Sequence, residues 1–399
     1  MSNKFILVSW GEGLSGAIKT QFLVNQEYLK RHLGADVKVI MFISPRGFKS
    51  QKYLIRKELK NVHVIPMLLG NRFLWLYKYS TLCLILFWRL YFGRLNIITR
   101  GVNCSYVFSS ANLFRRVGIK LVYDARGAHY PEQVLLNHNA DKSRKREIFV
   151  VNHIKNVLSI SHRLIQYWES DLGIDLRLHE IAVIPCCLSP KILDTSAAFL
   201  PDNTFYCLKG FNSNQRLGVR LAYCGSDAPW QFGEGYEFII ERHLHAHVDN
   251  SYLHLGPRTD FITRLIACFG DKRVLQKHVE SDQIGEYLVD ADYGIIVRDL
   301  NPINKVASPI KCAEYLIYGL SLIVSAELGD ISDLVIDKNL GFVYDHKERH
   351  LKSKNGITEV SHLSKCSIAS KRKSKEVAKL VFDRITYLDQ YKLLFSEDV

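Results

Sequence analysis

Several features that would assign this 399-residue chain to a special class are missing from its sequence. Nine cysteines are present, but none forms a Cys-x-x-Cys pair and their number is odd, which argues against a disulfide framework and favours reduced cysteines in a cytoplasmic protein. The longest uncharged run of the most apolar segment, Tyr79 to Trp88, is shorter than the roughly 20 residues that span a bilayer. The N-terminal apolar run is too short for a signal peptide and predicts a first β-strand.

The length and the pattern of the chain predict two α/β domains. A chain of 399 residues exceeds one ordinary core and suits two domains of roughly 150–200 residues each. Strand-like and helix-like segments alternate along most of it, which is typical of parallel sheets covered by helices. We predict an N-terminal domain over 1–190, a second domain over 191–375, and a closing helix over 376–399 that packs on the first.

Acidic residues are absent from Leu59 to Tyr123, whereas nine Lys and Arg lie there. The whole chain carries a net charge of +13, which favours anionic partners. Within this stretch, Phe73 to Phe92 is rich in aromatic and aliphatic residues and is flanked by basic ones. Such a segment suits a helix lying in a membrane interface, and it equally suits a helix buried against a sheet. Because acids are missing, we expect contact with an anionic membrane surface.

The most informative stretch is Asp290 to Asp299, followed by Ser308 to Ser325. It predicts a buried strand ending at Arg298, and then a helix with Ser308 as its N-cap and Pro309 at its first position. A helix N-terminus at the edge of a parallel sheet binds anions, so Lys311 in the first turn, with Arg298, suits a diphosphate. Glu314, one turn further, suits ribose hydroxyls. The alternative is that Lys311 and Glu314 form an ordinary surface ion pair.

This stretch resembles the donor-binding signature of retaining GT-B glycosyltransferases, in particular glycosyltransferase family 4. Five other segments resemble the family more weakly, namely Gly11 to Gly16, Asp124 to Gly127, Leu158 to His162, Val183 to Pro185, and Tyr223 to Gly225. The resemblance implies a GT-B fold, in which two Rossmann-like domains face each other across a cleft and a C-terminal helix returns to the N-terminal domain. It also implies a nucleotide-sugar donor on the C-terminal domain, a glycan or lipid-linked acceptor on the N-terminal domain, and hexosyl transfer with retention.

The resemblance assigns roles to individual residues. The implied donor-binding residues are Gly13, Gly16, Arg298, Ser308, Pro309, Lys311, Glu314 and Tyr315. Asp124, Arg126 and His129 are the catalytic candidates, and Arg100 is the candidate for acceptor binding. Two departures stand out: the first glutamate of the family's motif falls at Val306, and the loop from Gly225 to Gln231 lacks the usual phosphate-binding cations. Asp299 is a candidate for the missing carboxylate.

Other motifs carry less weight. Gly11, Gly13 and Gly16 fit a dinucleotide fingerprint, but Ser44-Pro45-Arg46 stands where the acidic ribose partner is expected. Asp290-Ala-Asp292 suits a turn better than a metal site, so we expect no metal and no cofactor beyond the nucleotide-sugar substrate. The basic run Ser370 to Lys375 suits a solvated surface, and we expect no nucleic acid partner.

The sequence as a whole predicts a cytoplasmic enzyme on the inner face of the cytoplasmic membrane. Assembly of bacterial surface polysaccharide, such as lipopolysaccharide or capsule, fits this combination. Two alternatives remain open: a sugar-nucleotide epimerase of related fold, and a non-catalytic GT-B-like scaffold that binds anionic polymers.

Overall fold

The chain folds into two compact units. The structure is a computed structural model that describes residues 4–16, 18–58, 62–67, 74–196, 217–226, 228, 230–279 and 283–395. One unit comprises residues 1–185 and 387–399, and the other comprises residues 186–386.

The first unit is built on a seven-stranded sheet in which every strand is parallel to its neighbours. Its strands are β1 (Lys4–Trp10), β2 (Asp36–Ile43), β3 (Val62–Pro66), β4 (Leu95–Arg100), β5 (Ile119–Asp124), β6 (Asn156–Ser159) and β7 (Glu180–Val183). The strand order is β3-β2-β1-β4-β5-β6-β7. The order therefore reverses between β1 and β4, and such a switch point gathers functional loops at the carboxyl ends of the strands.

Helices cover both faces of this sheet, as buried apolar strands require. They are α1 (Val24–Leu33), α2 (Phe48–Glu58), α3 (Leu74–Phe92), α4 (Gly101–Phe108), α5 (His129–Leu135), α6 (Ala140–His153) and α7 (His162–Ser170). A π-helical turn, Ile18–Leu23, leads directly into α1. In the part of the chain that the structure describes, no helix has both the length and the apolar character needed to cross a membrane.

The second unit contains an eight-stranded sheet. Its strands are β8 (Arg220–Cys224), β9 (Ser251–Leu255), β10 (Val274–Lys277), β11 (Tyr293–Ile296), β12 (Ser321–Ser325), β13 (Gly341–Tyr344), β14 (Leu351–Ser353) and β15 (Gly356–Thr358). The order is β10-β9-β8-β11-β12-β13-β14-β15. The first six strands are parallel, and β14 and β15 form an antiparallel extension at one edge.

Helices also cover both faces of the second sheet. They are α8 (Pro190–Ser196), α9 (Glu234–Ala246), α10 (Asp260–Phe269), α11 (Ile284–Leu288), α12 (Pro302–Lys305), α13 (Ile310–Ile317), α14 (Ile331–Asp337) and α15 (Ile368–Phe382). One core cluster includes Leu316, Leu322 and Phe382. A second cluster includes Ile240 and Ile262, so the sheet is buried on both sides.

The chain returns to the first unit at its C-terminal end, as the predicted fold requires. Helix α16 (Leu388–Phe395) packs there. The Tyr391 hydroxyl donates to Asn25 Oδ1 at 3.1 Å, and the Phe395 ring meets the Phe5 ring edge-on with a centroid separation of 4.8 Å. These contacts anchor α16 to α1 and β1.

The predicted single helix over 376–399 is replaced by two helices. Helix α15 belongs to the second unit and ends at Phe382, and a 3₁₀ turn, Arg384–Tyr387, leads into α16. Asp383 is extended, with ψ at 124°, and its carboxylate accepts the Ile385 amide at 3.1 Å. A side chain that bonds its own neighbouring backbone competes with helix continuation, which explains the break.

The structure divides the chain after Pro185, five residues before the predicted boundary at 190. Residues just past this point bond within the second unit. The Cys186 amide donates to Ser308 Oγ at 3.0 Å, and the Leu188 amide donates to the Phe382 carbonyl at 2.8 Å. The predicted boundary rests on the polar stretch from about Ser189 to Gly218, and residues 197–216 of this stretch lie outside the described residues.

Candidate functional site

The first group of candidate residues lies at the carboxyl ends of β4 and β5. Arg100 and Asp124 are directly paired in the sheet register. Asp124 Oδ2 accepts two hydrogen bonds from Arg126, at 2.9 and 3.1 Å, and Arg100 Nη1 lies 4.0 Å away. Arg100 Nε also donates to Glu12 Oε2 at 2.9 Å, from the loop after β1. Two cations and two carboxylates from three strand ends therefore form one network.

This network limits what each candidate can do. Because Asp124 is buried and holds two guanidinium groups, its carboxylate serves to fix Arg100 and Arg126 in place. Arg100 Nη1 is buried without a hydrogen-bond partner among the described residues. The predicted acceptor-binding side chain thus keeps an unused donor, whereas the predicted catalytic carboxylate has its Oδ2 atom engaged by Arg126.

His129 begins α5, just beyond this network. Burial, followed by the charges of Arg146 and His138, lowers the pKa of His129 to about 4. The imidazole is therefore neutral at neutral pH, and the lowered pKa makes it a weaker proton acceptor than an ordinary histidine.

Glu147 supports the loop that carries His129. Its side chain is fully buried on α6. It accepts the backbone amides of His129 at 3.3 Å and Tyr130 at 2.6 Å, and the Trp168 indole donates to it at 3.1 Å. All three donors are neutral, and burial raises the pKa of Glu147 to about 7. A buried acid with three convergent donors holds the start of α5 against α6 and α7.

The glycine-rich loop after β1 shows why small residues stand there. A side chain at Gly13 would press against the Gln51 amide, whose Oε1 accepts the Leu14 amide at 2.7 Å. A β-carbon at Gly16 would meet no atom within 4 Å. Gly13 therefore serves the packing of the loop on α2, and Gly16 leaves the backbone open on one side. Both belong to the first unit, whereas the other predicted donor-binding residues belong to the second.

The second group of candidates surrounds the start of α13, and here one prediction is wrong. Pro309, with extended ψ at 119°, is the N-cap, and the helix begins at Ile310. Ser308 is one residue too early for capping. Its hydroxyl instead accepts the Cys186 amide, at 3.0 Å. A long-range hydrogen bond therefore takes the serine that the local pattern assigned to the cap.

Two cations meet beside this helix. Gln231 Oε1 accepts hydrogen bonds from Lys311 Nζ at 3.0 Å and from Arg298 Nη2 at 2.8 Å. Lys311 also lies over the Tyr223 ring, 4.9 Å from its centroid. Arg298 is only 5% exposed, and it is further bonded to Asn304 at 3.4 Å. Among the described residues, no carboxylate lies within ion-pair distance of either cation.

This arrangement is electrostatically incomplete. Burial and the neighbouring Arg298 lower the pKa of Lys311 to about 8, and burial lowers the pKa of Arg298 as well. The Nε atom of Arg298 is buried and has no hydrogen-bond partner in the described part of the chain. Buried like charges that share one neutral acceptor are unfavourable unless an anion joins them.

Glu314 and Tyr315 lie on the next turn of α13, but the Glu314 carboxylate has no protein partner among the described residues, whereas the Tyr315 ring is packed in the core. Burial raises the pKa of Glu314 to about 7, and among the described residues its carboxylate has no hydrogen-bond or ion-pair partner. The alternative of a Lys311–Glu314 surface ion pair does not occur. Tyr315 is fully buried, packs against Gly294, and accepts the Cys224 amide at 2.7 Å. Its position is that of a packing residue under the β8 loop.

The loop after β8 approaches these groups through glycines. A side chain at Gly225 would overlap the Lys311 ammonium, and one at Gly233 would overlap the Asp299 carboxylate. Asp299 itself is exposed at the end of β11. Val306 is the C-cap residue of α12 and is 2% exposed. The position where the glycosyltransferase motif has its first glutamate is therefore buried in this chain.

The sequence suggests that Trp230 and Gln231 border the sugar pocket, but it does not predict that Gln231 contacts both Arg298 and Lys311. Glu147 was missed in the site predicted from the sequence. Glu147 stands directly before the apolar run Ile148–Val151, and an acid in such a position can indicate a buried polar contact. No group of three or more His, Cys, Asp or Glu side chains in the described ranges is arranged to hold a metal ion.

No protein-family model and no curated protein sequence matches the chain. Solved structures do resemble it. Sucrose-phosphate synthase from Thermosynechococcus elongatus aligns over 98% of both chains with 12% identity and a TM-score of 0.61. The lipopolysaccharide outer core galactosyltransferase WaaB aligns over 98% of this chain and 99% of its own, with 12% identity and a TM-score of 0.64. The catalytic domain of starch synthase IV from Arabidopsis thaliana, bound to ADP and acarbose, gives 11% identity, 98% and 99% coverage, and a TM-score of 0.59.

These similarities show the fold. Two Rossmann-like units with mainly parallel sheets, matched along nearly the whole chain to glycosyltransferases, are the GT-B architecture. The predicted fold class is thereby confirmed.

Proposed function

We propose that the protein is a glycosyltransferase that moves a hexosyl group from a nucleotide-diphosphate donor to a glycan or lipid-linked acceptor, with retention of anomeric configuration. The observation that carries this proposal is the pair Arg298 and Lys311, which lie beside the N-terminus of α13 and share the Gln231 oxygen. A diphosphate supplies the anion that this pair lacks. Among the solved structures of this fold, the starch synthase is bound to ADP, which is the class of ligand we propose for this unit.

The donor would occupy the second unit. Lys311 and Arg298 would bind the diphosphate, and Glu314, for which the described part of the chain offers no partner, would accept ribose hydroxyls. When the bond from the sugar to the diphosphate breaks, negative charge grows on the leaving oxygen. Fixed cations in a partly dry site stabilise that charge more than water does. Burial of Lys311 and Arg298 therefore serves the reaction, although it destabilises the empty site.

The acceptor would occupy the first unit. The bond forms from an acceptor hydroxyl oxygen to the anomeric carbon, and the hydroxyl proton passes to the leaving diphosphate. Because the pKa of His129 is lowered to about 4, its neutral imidazole would hold the acceptor hydroxyl by a hydrogen bond rather than take its proton. Arg100 keeps an unused donor that suits an acceptor phosphate or hydroxyl. Asp124 and Arg126 would position this edge, since their charged atoms bond each other.

We further propose that the enzyme works at the inner face of the cytoplasmic membrane in the assembly of bacterial surface polysaccharide, such as lipopolysaccharide or capsule. Support comes from the acid-free, basic segment between Leu59 and Tyr123 and from the exposed aromatic residues of α3. The similarity to the outer core galactosyltransferase WaaB is in fold alone. It suggests that acceptors from lipopolysaccharide assembly are tested first.

The test is thermal unfolding with a panel of UDP, GDP, ADP and dTDP, for the wild type, Lys311→Ala and Glu314→Ala. A ligand at about 100 times its dissociation constant stabilises by roughly 2.7 kcal/mol. One diphosphate should stabilise the wild type selectively and should lose its effect in both variants. Lys305→Ala is the matched control, because Lys305 is exposed on the neighbouring helix and pairs with Glu327 at 2.8 Å.

The outcomes separate the candidate functions. Loss in the two site variants but not in Lys305→Ala supports the donor site and identifies the base to use with sugar donors. Epimerisation of a donor without any acceptor would indicate a sugar-nucleotide epimerase. If none of the four diphosphates stabilises the wild type, the transferase proposal fails and a non-catalytic scaffold becomes the better explanation.

A further inference from the structure

Helix α3 presents an apolar face to solvent, which is the reverse of an ordinary surface helix. Its inner face buries Leu74, Ile85 and Trp88. The outward residues and their exposed fractions are Trp75 55%, Tyr79 69%, Phe87 61%, Leu90 86% and Tyr91 71%. Soluble proteins rarely expose contiguous apolar surface of this kind unless it binds something.

A groove runs beside this face. Its volume is about 460 Å³, within the range of roughly 300–1,000 Å³ that small-molecule sites occupy. The floor includes Ile40 and the half-exposed Val64 and Ile65 of β3, the edge strand of the sheet, and the wall includes Phe87 and Trp88 of α3. None of the candidate catalytic residues lines it.

Cations stand around this apolar groove. Lys38, Lys52 and Arg56 contribute to its lining, and Lys38 Nζ lies 4.3 Å from the centroid of the Phe92 ring. Among the described residues, no carboxylate pairs with any of the three. The groove thus combines a hydrocarbon-like interior with cations that lack a counter-ion.

We propose that this groove binds one hydrocarbon chain of an anionic bilayer lipid, whose phosphate lies among Lys38, Lys52 and Arg56. The exposed face of α3 would then lie in the membrane interface beside it, where Trp and Tyr are favoured. A protein partner fits less well, because an interface core is depleted of unpaired charge. The proposal rests on the membrane-facing part of the proposed function, and it does not depend on the donor site.

The first experiment is flotation of the full-length protein with phosphatidylcholine vesicles, with and without phosphatidylglycerol, at low and high salt. The variant is Lys52→Ala with Arg56→Ala. Each basic residue near an anionic surface contributes about a fivefold gain in partitioning, so the pair should weaken binding by about 30-fold. The matched control is Lys49→Ala with Lys57→Ala, which removes two exposed cations from the same helix that do not line the groove.

The second experiment tests the chain-binding groove with monomeric lysophosphatidylglycerol. Val64→Trp should fill the groove while leaving the exposed face of α3 and all cations in place. We expect it to lose the lysolipid while keeping vesicle binding, and we expect glycerol phosphate alone not to compete.

Three results would overturn the proposal: equal binding to neutral and anionic vesicles, equal loss in the two double-alanine variants, or unchanged lysolipid binding by Val64→Trp. Thermal unfolding with the stabilising nucleotide is run on every variant. If the wild type is stabilised by the nucleotide but binds no lipid, the lipid site alone is refuted. If no nucleotide stabilises the wild type, the transferase proposal is refuted.

Discussion

Glu147 gives the sharpest test of how the first unit is held together. In the folded chain, burial keeps its carboxyl protonated to about pH 7, whereas its ordinary pKa is 4.5. As pH rises above 4.5, the unfolded chain releases this proton and the folded chain retains it. The free energy of unfolding must therefore fall with rising pH, until the loss is complete above about pH 7.

The size of this effect follows from the same two values. Each pH unit across the interval from 4.5 to about 7 is equivalent to about 1.4 kcal/mol, which gives a loss of about 3 kcal/mol by pH 8. For a unit of this size, that corresponds to roughly 6–12 °C in Tm. Glu147→Gln keeps an acceptor oxygen for the Tyr130 amide and removes the titration. Between acid and alkaline pH, the free energy of unfolding of Glu147→Gln should therefore fall by about 3 kcal/mol less than that of the wild type.

The assay is chemical denaturation followed by tryptophan fluorescence, at about pH 5 and about pH 8. Trp168, which donates to Glu147, reports on the same region. Glu169→Gln changes an exposed acid one residue beyond Trp168 and should run parallel to the wild type. If Glu147→Gln also runs parallel to the wild type, the buried acid does not retain its proton, and the account of this loop is wrong.

Two further predictions concern the donor site. Burial and the neighbouring Arg298 lower the pKa of Lys311 to about 8, so the affinity for a nucleoside diphosphate should fall as pH rises through that value. Binding near this pH should take up a proton, which calorimetry in two buffers of different ionisation enthalpy detects. Lys311→Arg should abolish this uptake. Gly225→Ala should fold normally but lose nucleotide binding, since the new methyl group would displace the Lys311 ammonium from Gln231; unchanged thermal stabilisation by nucleotide would contradict this.

The strands could be predicted because each is short, apolar and followed by polar or glycine residues. Parallel sheets bury both faces, so runs such as Ser321–Ser325 stand out without any knowledge of their neighbours. The same pattern places Arg298 and Lys311 near one sheet edge, because functional groups gather at the carboxyl ends of parallel strands. This part of the candidate site follows from local order alone.

What could not be predicted depends on partners far away in the chain. The Ser308 hydroxyl bonds Cys186, 122 residues earlier, and no local rule indicates that contact. Gln231 matters because two cations from other segments converge on it.

The departure at Val306 also has a physical explanation. In this chain, that position ends α12 and is 2% exposed, so a glutamate there would place a carboxylate in a buried position, and burial disfavours its charged form. Asp299, by contrast, is exposed at the end of β11, with Gly233 leaving room for its oxygens. For the proposed donor site, we infer that a carboxylate facing the sugar would come from Asp299 rather than from position 306. A glutamate substituted at position 306 would be buried, so we expect it not to supply that carboxylate.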